Sequence, residues 1–557
     1  MAVEDQLAQF ILAHECIPAH PRPNTTVLFH AYDDLLPPLP NSPSPFIIPM
    51  WETLLSSYPG DLPLTLSKIL EFGALVGYDG PNSLLLSKNH TSVNLSTKVF
   101  ASKIESDLIT QRISVTRPTK PFICSPLGLV PKKDGGFRRI HDLSFPRRLS
   151  VNDHIEDDFS TLQYVRIEEI LQQVLTAGRH SIILKRDIKD AFRNIPVAPQ
   201  VQWLLGFRWE GQFYNETCLP FGLATGPFIF NLFAEAFHWI LQSWLHWDLI
   251  SHYLDDFMYI IPHSLRETVP EITQDYIAIT NLLGIPRNDS KDELGTVVTV
   301  LGLEVDTDQF ILRVPESKLQ EARRATGNAI SKGSLTRKEA EQLAGFLQFC
   351  APAVQLGRVF MHTFWSYIAA FPPSSAQFLK RRIPELLLDD LEWWHKLLPT
   401  WNGIRFFDEV SRHTIALFTD ASGLGLGGFY TIGTACNIDY TSIPIGNAFA
   451  TPLNTQPGTQ FDINVHEMEA ILWALQLWAP LWAKSKLSVY TDNSSAEHGL
   501  NNYTLRGPAN KPLREALIII AYYNILLEPI WIAGVTNILA DALSCFNYST
   551  VANLCLQ

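Results

Sequence analysis

The chain has 557 residues, 46% hydrophobic and 18% charged, the balance of a globular protein with a large core rather than of a disordered one. A formal net charge of −13 is awkward for a nucleic-acid binder, yet Lys132, Lys133, Arg138, Arg139, Arg147 and Arg148 fall in one window and Arg323, Arg324, Lys332, Arg337 and Lys338 in another. A carboxylate-rich metal enzyme with local basic grooves has this balance, and the length predicts about two to four domains. Seven scattered cysteines without a Cys-x-x-Cys pair argue against a zinc site and a disulfide framework. With no basic start followed by a long apolar run, no signal peptide is expected, so the chain reads as intracellular, in cytoplasm or nucleus, and not secreted. Residues 516–532 are broken by Asn524, Glu528 and Pro529, which predicts a buried helix followed by a strand, and no membrane span.

Residues up to about 50 carry Pro37-Pro38, Pro40, Pro43 and Pro45 and read as an irregular extension, assigned here as 1–60. A mixed, partly helical stretch follows. Residues 125–148 predict an apolar strand, a Lys132-Lys133-Asp134-Gly135-Gly136 turn, and a second strand through Arg138 and Arg139. Basic residues flanking such a hairpin can grip phosphates, although a solvated lysine tip has the same pattern.

Ile182-Ile183-Leu184 leads as a strand into Asp187, and a helix is predicted from Asp190-Ala191-Phe192-Arg193. A carboxylate at a strand end suits a metal ligand; Asp190 also reads as a helix-start acid favoured by the macrodipole. A Gly/Pro loop, Leu219-Pro220-Phe221-Gly222, opens onto an apolar helix over 228–247. His252-Tyr253-Leu254-Asp255-Asp256-Phe257 then interrupts an apolar run, predicting strand, tight turn and returning strand. Two acids buried at such a turn are costly without a cation, and hard divalent cations take oxygen ligands. Asp-Asp pairs are also common at solvated turns, and Asp33-Asp34, Asp157-Asp158 and Asp389-Asp390 are read that way.

The order of basic hairpin, Asp187-x-x-x-Ala191-Phe192, Leu219-Pro220-x-Gly222 and Tyr253-Leu254-Asp255-Asp256 resembles the reverse transcriptases of retroviruses and long-terminal-repeat-type retroelements. The wording of Arg139-Ile140-His141-Asp142-Leu143-Ser144 and of residues 187–193 looks most like the DIRS-like group, which pairs with a tyrosine recombinase. Leu282-Leu283-Gly284-Ile285 with Lys291 resembles the next polymerase motif, and Leu301-Gly302-Leu303-Glu304-Val305 the primer-grip hairpin. The resemblance implies two-metal phosphoryl transfer on Mg²⁺ or Mn²⁺, two ions per site, about 3.5–4 Å apart. It makes Asp187 and Asp255 metal ligands with Asp256 in support. It places Lys132 and Arg138 on the triphosphate, with Asp190 and Ala191 beside the nucleotide. Phe192 falls under the sugar, where its ring excludes a 2′-hydroxyl, and Lys291 becomes the proton donor to pyrophosphate. Two departures stand out: Arg186 where an apolar residue often precedes the catalytic Asp, and Phe221 where retroviral enzymes use a polar residue.

Residues 314–401 predict helices; the one over 335–345 has an N-cap and a Gly345 stop, and the one over 386–398 is amphipathic. From His413 a second constellation begins. A strand ends at Asp420 and is followed by Gly423, Gly425, Gly427 and Gly428. Glu467 opens a helix reaching about Trp478, a strand ends at Asp492, and Asp541 lies in a short last helix. This resembles ribonuclease H, whose four carboxylates bind two metals against an RNA phosphodiester, and Asp420, Glu467, Asp492 and Asp541 match its set. Glu469 is then a helix-face residue. A His-Ile-Pro-Gly segment common in that family reads Trp531-Ile532-Ala533-Gly534 here, so a histidine assisting product release is absent.

The expected fold is therefore α+β and multidomain. Right-hand polymerase fingers and ferredoxin-like palm span 61–313, a helical thumb or connection 314–405, and a ribonuclease-H-like α/β domain 406–557. Expected partners are an RNA template, a DNA primer, an RNA–DNA hybrid and dNTPs, with a recombinase or integrase on another chain. The rival reading is an inactive relic that binds nucleic acid; clustered repulsive acids serve no purpose in it. A DNA-templated repair polymerase leaves the second acid set unexplained.

Overall fold

The computed structural model describes residues 3–20, 37–39, 41–131, 136–159, 161–354, 356–372, 378–401, 404–407, 412–433, 438–453, 462–505 and 507–555. The chain divides into two compact units, Met1–Val298 and Thr299–Gln557. The architecture is α+β and multidomain: a polymerase-type fold followed by a further α/β sheet domain.

In the first unit, strands Ile182–Asp187, Ile250–Tyr253, Asp256–Ile261 and Glu293–Gly295 form an antiparallel sheet. Its apolar residues join those of helix Gly226–Leu245, which is buried nearly all round, in one core. A helix apolar on every face has to lie inside a domain, so this helix anchors the sheet from behind. A second, mixed sheet carries strands Ile113–Thr116 and Gln212–Glu216, and beside it Leu127–Pro131 pairs with Phe137–His141 as a hairpin.

Several local expectations change. The N-terminal segment is no free extension: Val3–Ala13 is a helix, Phe10 is buried against Trp244, and Trp239 Nε1 donates to Ala19 O at 2.7 Å. The segment after Asp187 is a four-residue 3₁₀ turn, Ala191–Asn194, not a helix, because Asp190 before it is left-handed (φ 61°).

In the second unit, Leu303–Asp306 and Ile311–Arg313 form a hairpin whose outer strand pairs with Ile404–Phe406, which draws residues 299–313 into this unit. The capping box at Thr336 and Glu339 starts helix Arg337–Cys350, which runs through Gly345. Burial of Leu347 and Cys350 beyond it carries the helix past a residue that costs only about 1 kcal/mol there. Asp157 and Asp158 are exposed; Asp390 is not, being fully buried and paired with Arg514 and Thr363. Asp33-Asp34 lies outside the described residues. Residues 516–532 divide into the end of helix Asn510–Tyr522 and strand Leu526–Trp531, and no described helix is long and apolar enough to cross a membrane.

The last sheet orders strands Ala448–Pro452, Gly425–Ile432, Thr414–Ala421, Lys486–Thr491 and Leu526–Trp531, the first three antiparallel and the last three parallel. Gly427 lets helix Ile538–Ser544 lie against it. A Cβ at Gly427 would stand 2.3 Å from Ser544 N, so only glycine permits that approach.

Candidate functional site

In the first unit, the ladder sets Asp256 directly opposite Asp187, and the turn between the strands is closed by Leu254 in a left-handed conformation (φ 53°). Ile188 N donates to Asp255 O at 3.0 Å, which pins the turn to the strand that delivers Asp187. Asp187 is buried. Its Oδ1 accepts from Lys291 Nζ and its Oδ2 from Asn288 Nδ2, both at 3.0 Å. Burial, with the neighbouring Asp256 and Asp187 charges adding to it, pushes the Asp255 carboxyl up to about 6. Burial raises Asp256 as well, against the pull of Lys185. Lys291 loses some stability as a cation through desolvation, but the Asp187 hydrogen bond and the Asp255 and Asp256 charges outweigh that and raise its pKa.

One cavity of about 650 Å³ is lined by Arg138, Asp187, Asp255 and Lys291 together with the Asp190-Ala191-Phe192 turn. Residues separated by up to some 150 positions in sequence thus face a common space. Asp256 does not line it, and Lys132 lies outside the described residues. Asp190 is held by Arg112 Nη1 at 2.9 Å, so it is an ion-pair partner rather than a helix-start acid. Phe192 is half-buried, its ring centroid 5.3 Å from that of Phe221 and 5.6 Å from that of Phe230. Arg138 lies over the Phe221 ring at 5.3 Å. The Phe221 departure thus has a structural use, since its ring bridges Phe192 and Arg138. The Arg186 departure points to Asp292 and Thr273 and lies over Tyr276.

Sequence reasoning did not single out several cavity residues, among them Asp107, Arg112, Arg193, Glu216 and Asn288. One signal was available. Period-two alternation in strand Gln212–Glu216 puts Glu216 on the same inward face as Tyr214, and an acid there needs a cationic partner.

In the second unit, Asp420 lies near the end of its strand opposite Gly427, and Glu467 sits in helix Ile463–Trp478, whose N-cap Asp462 accepts from Asn464 N at 3.0 Å. Asp492 follows strand Lys486–Thr491, immediately before the Asn493 cap of the next helix. Ligand oxygens of Asp420, Glu467 and Asp492 lie within 4.8 Å of one another, and among the described residues this is the only group of three or more metal-ligating side chains so placed. Asp541 is exposed beside them and raises the Asp420 and Asp492 carboxyls by its charge. Burial first, then Asp420 and Asp492, pushes Glu467 up to about 9; burial pushes Asp420 up to about 6, against a 2.5 Å hydrogen bond donated by Ser544 Oγ. Glu469 pairs with His466 Nδ1 at 2.8 Å and faces away from the cluster's chemistry. At the departed Ala533-Gly534 segment, a Cβ on Gly534 would come 2.8 Å from Asp492 Oδ2.

Three crowded acids with raised pKa values, and a buried Glu467 Oε2 lacking any hydrogen-bond partner, fit a hard divalent cation. The oxygen-only set in the first unit fits one too, with Lys291 supplying positive charge beside Asp187. A larger cavity of about 1470 Å³ in the second unit is lined by Arg358, Arg381, Asn464, Ser494, His498 and Arg514, and none of the four acids lines it.

Residues 130–305 match the protein family "Reverse transcriptase (RNA-dependent DNA polymerase)". The chain is similar to the Transposon Tf2-3 and Tf2-4 polyproteins of Schizosaccharomyces pombe (strain 972 / ATCC 24843), each 23% identical over 449 residues, covering 77% of this chain and 29% of theirs. It therefore spans under a third of the length of these curated relatives. Among solved structures it is similar to the foamy viral protease-reverse transcriptase dRH in complex with ds DNA (TM-score 0.46, 16% identity, 88% of this chain and 82% of that one). It is similar also to the foamy viral protease-reverse transcriptase in complex with RNA/DNA hybrid (TM-score 0.42, 16% identity, 88% and 63%). Residues 130–305 are thus similar in sequence to the reverse transcriptase family, and 77% of the chain is similar to part of two retrotransposon polyproteins.

Proposed function

We propose that the chain is an RNA-directed DNA polymerase of a retroelement that also cleaves the RNA strand of RNA–DNA hybrids. The observation that carries it is the single cavity joining Arg138, Asp187, Asp255, Lys291 and the Phe192 turn inside the segment that matches the reverse transcriptase family. Arg138 binds the triphosphate, Phe192 abuts the deoxyribose, and Lys291 holds a proton at Nζ for the leaving pyrophosphate. Two divalent ions in each site, Mg²⁺ or Mn²⁺, supply Lewis-acid stabilisation when bound. Asp187, Asp255 and Asp256 hold them in the first site, and Asp420, Glu467, Asp492 and Asp541 in the second.

Support for hybrid cleavage is the acid cluster itself, whose crowded, buried carboxylates a bound cation would offset. We assign fingers and palm to 61–298, the 299–313 hairpin and the connecting helices to 299–405, and the ribonuclease-H-like domain to 406–557. The substrates are dNTPs, an RNA template and a DNA primer, the working compartment is intracellular, and the element is DIRS-like with its recombinase on another chain.

Deoxynucleotide incorporation on an RNA template with a DNA primer, read beside cleavage of labelled template RNA, tests this. Asp255→Asn is expected to abolish extension and spare cleavage, and Asp420→Asn to do the reverse. Wild-type protein that binds hybrid but neither extends nor cleaves in Mg²⁺ or Mn²⁺ would leave the inactive relic as the better account.

A further inference from the structure

Behind the nucleotide-side turn lies a buried ionic bridge that the polymerase chemistry does not itself use. Glu216 is completely buried, and two guanidiniums meet it. Arg193 Nη1 donates to its Oε2 at 2.7 Å, and Arg139 Nη1 stands 3.0 Å from its Oε1. Asp107 closes the set, 2.8 Å from Arg139 Nη2 and 3.5 Å from Arg193 Nη2. Two acids balance two guanidiniums, and each guanidinium holds Glu216 firmly ionised against the cost of burial.

The bridge joins two residues that are each next to a nucleotide-facing one. On strand Phe137–His141, Arg138 and Arg139 both border the cavity, Arg138 exposed and Arg139 less so, its guanidinium held by Asp107 and Glu216. Arg193 directly follows Phe192 on the 3₁₀ turn Ala191–Asn194. That turn has little stiffness of its own: Asp190 and Ala191 both have positive φ (61° and 27°), and non-glycine residues persist there only where their surroundings hold them. Among the contacts that hold it are those of Arg193, which also donates to Arg112 O at 3.2 Å, the Arg112 pair with Asp190, and Asn194 Nδ2 donating to Lys189 O at 2.8 Å.

We propose that the Arg139–Glu216–Arg193 bridge is a positioning device for sugar selection, locking the turn that carries Phe192 to the hairpin that carries Arg138. A ring rejects a 2′-hydroxyl only if it cannot swing aside, and a tether through a buried charge pair supplies that stiffness. The inference rests on the polymerase reading above and adds to it which residues set deoxy- over ribonucleotide preference from behind.

Glu216→Gln, close to isosteric, tests it by single-nucleotide incorporation of dNTP and rNTP on an RNA template with a DNA primer, with melting and circular dichroism to confirm folding. The dNTP/rNTP efficiency ratio is expected to fall about tenfold and the KM for dNTP to rise about tenfold, with kcat and primer–template affinity within about twofold. Phe192→Ala sets the ceiling for lost selectivity. Should Glu216→Gln fail to fold, Arg139→Lys, which keeps the charge and loses the fork, is expected to give a smaller fall in the same ratio. A folded variant with wild-type selectivity, or one losing kcat with the ratio unchanged, overturns the inference while the polymerase reading stands. A wild-type protein that extends no primer overturns both.

Discussion

Lys291 places its ammonium 3.0 Å from Asp187 Oδ1, an exposed cation against a buried acid, both lining the first unit's cavity. The pairing raises the lysine pKa, so the amine stays protonated through neutral pH and has a proton to give. Lys291→Ala is expected to lower the single-turnover extension rate about 100-fold, the range typical of a positioned general acid, and to flatten the alkaline limb of its pH profile. An unchanged pH profile would assign Lys291 to charge balance alone.

Arg186 acts on the same lysine from behind, because its partner Asp292 is the next residue in the chain. Arg186→Leu leaves Asp292 without that partner at a mostly buried position, at a cost of about 3 kcal/mol. Extension is expected to fall about tenfold and the melting temperature to drop, with hybrid cleavage unaffected. Full activity in a destabilised variant would show that the Lys291 loop is held by other contacts.

Glu467 links the second site to pH. Its folded pKa of about 9 stands above the ordinary 4.5, so between these values the folded state keeps a proton that the unfolded chain releases. Folding stability then falls as pH rises through that window. Glu467→Gln removes this penalty. It is expected to raise the chelator-treated melting temperature at about pH 8 by several degrees, the shift of about 2 kcal/mol, while abolishing hybrid cleavage. Added Mg²⁺ is expected to stabilise wild type more than the variant. Scanning calorimetry in chelator and in Mg²⁺ measures both; a variant less stable than wild type in chelator would contradict the assignment.

Gly427 controls a contact two elements away. A methyl group there meets Ser544 N at 2.3 Å and Ala540 O at 2.7 Å, so Gly427→Ala pushes helix Ile538–Ser544 off the strand. That helix carries Asp541 and the Ser544 hydroxyl bonded to Asp420. Hybrid cleavage is expected to drop at least about tenfold, with a stability loss of about 1–3 kcal/mol and extension unchanged. Cleavage at the wild-type rate would show that the helix shifts without moving Asp541.

The two acid sets could be read directly because each acid sits at a feature with a local cause. Two carboxylates break a continuous apolar run at residues 250–261, and acids stand at or just after the ends of the strands Thr414–Ala421 and Lys486–Thr491. Backbone hydrogen bonding within a few residues decides such patterns, as it does the Thr336–Glu339 capping box. Other local signals misled. Gly345 looked like a stop, but burial of the next helical turn outweighed its poor propensity, and the proline-rich start hid a helix that gains its stability from the Trp244 core.

The sequence by itself determined the order of the acids and the local elements that carry them, strand ends and turns for some and helices for Glu467 and Asp541. Only the tertiary structure decided what surrounds them. Glu216 meets Arg139 across 77 residues and Arg193 across 23, and Asp390 meets Arg514 across 124. No period in the chain encodes such pairings. They form because folding buries each charge where the one available compensation is an opposite charge brought in from a distant element.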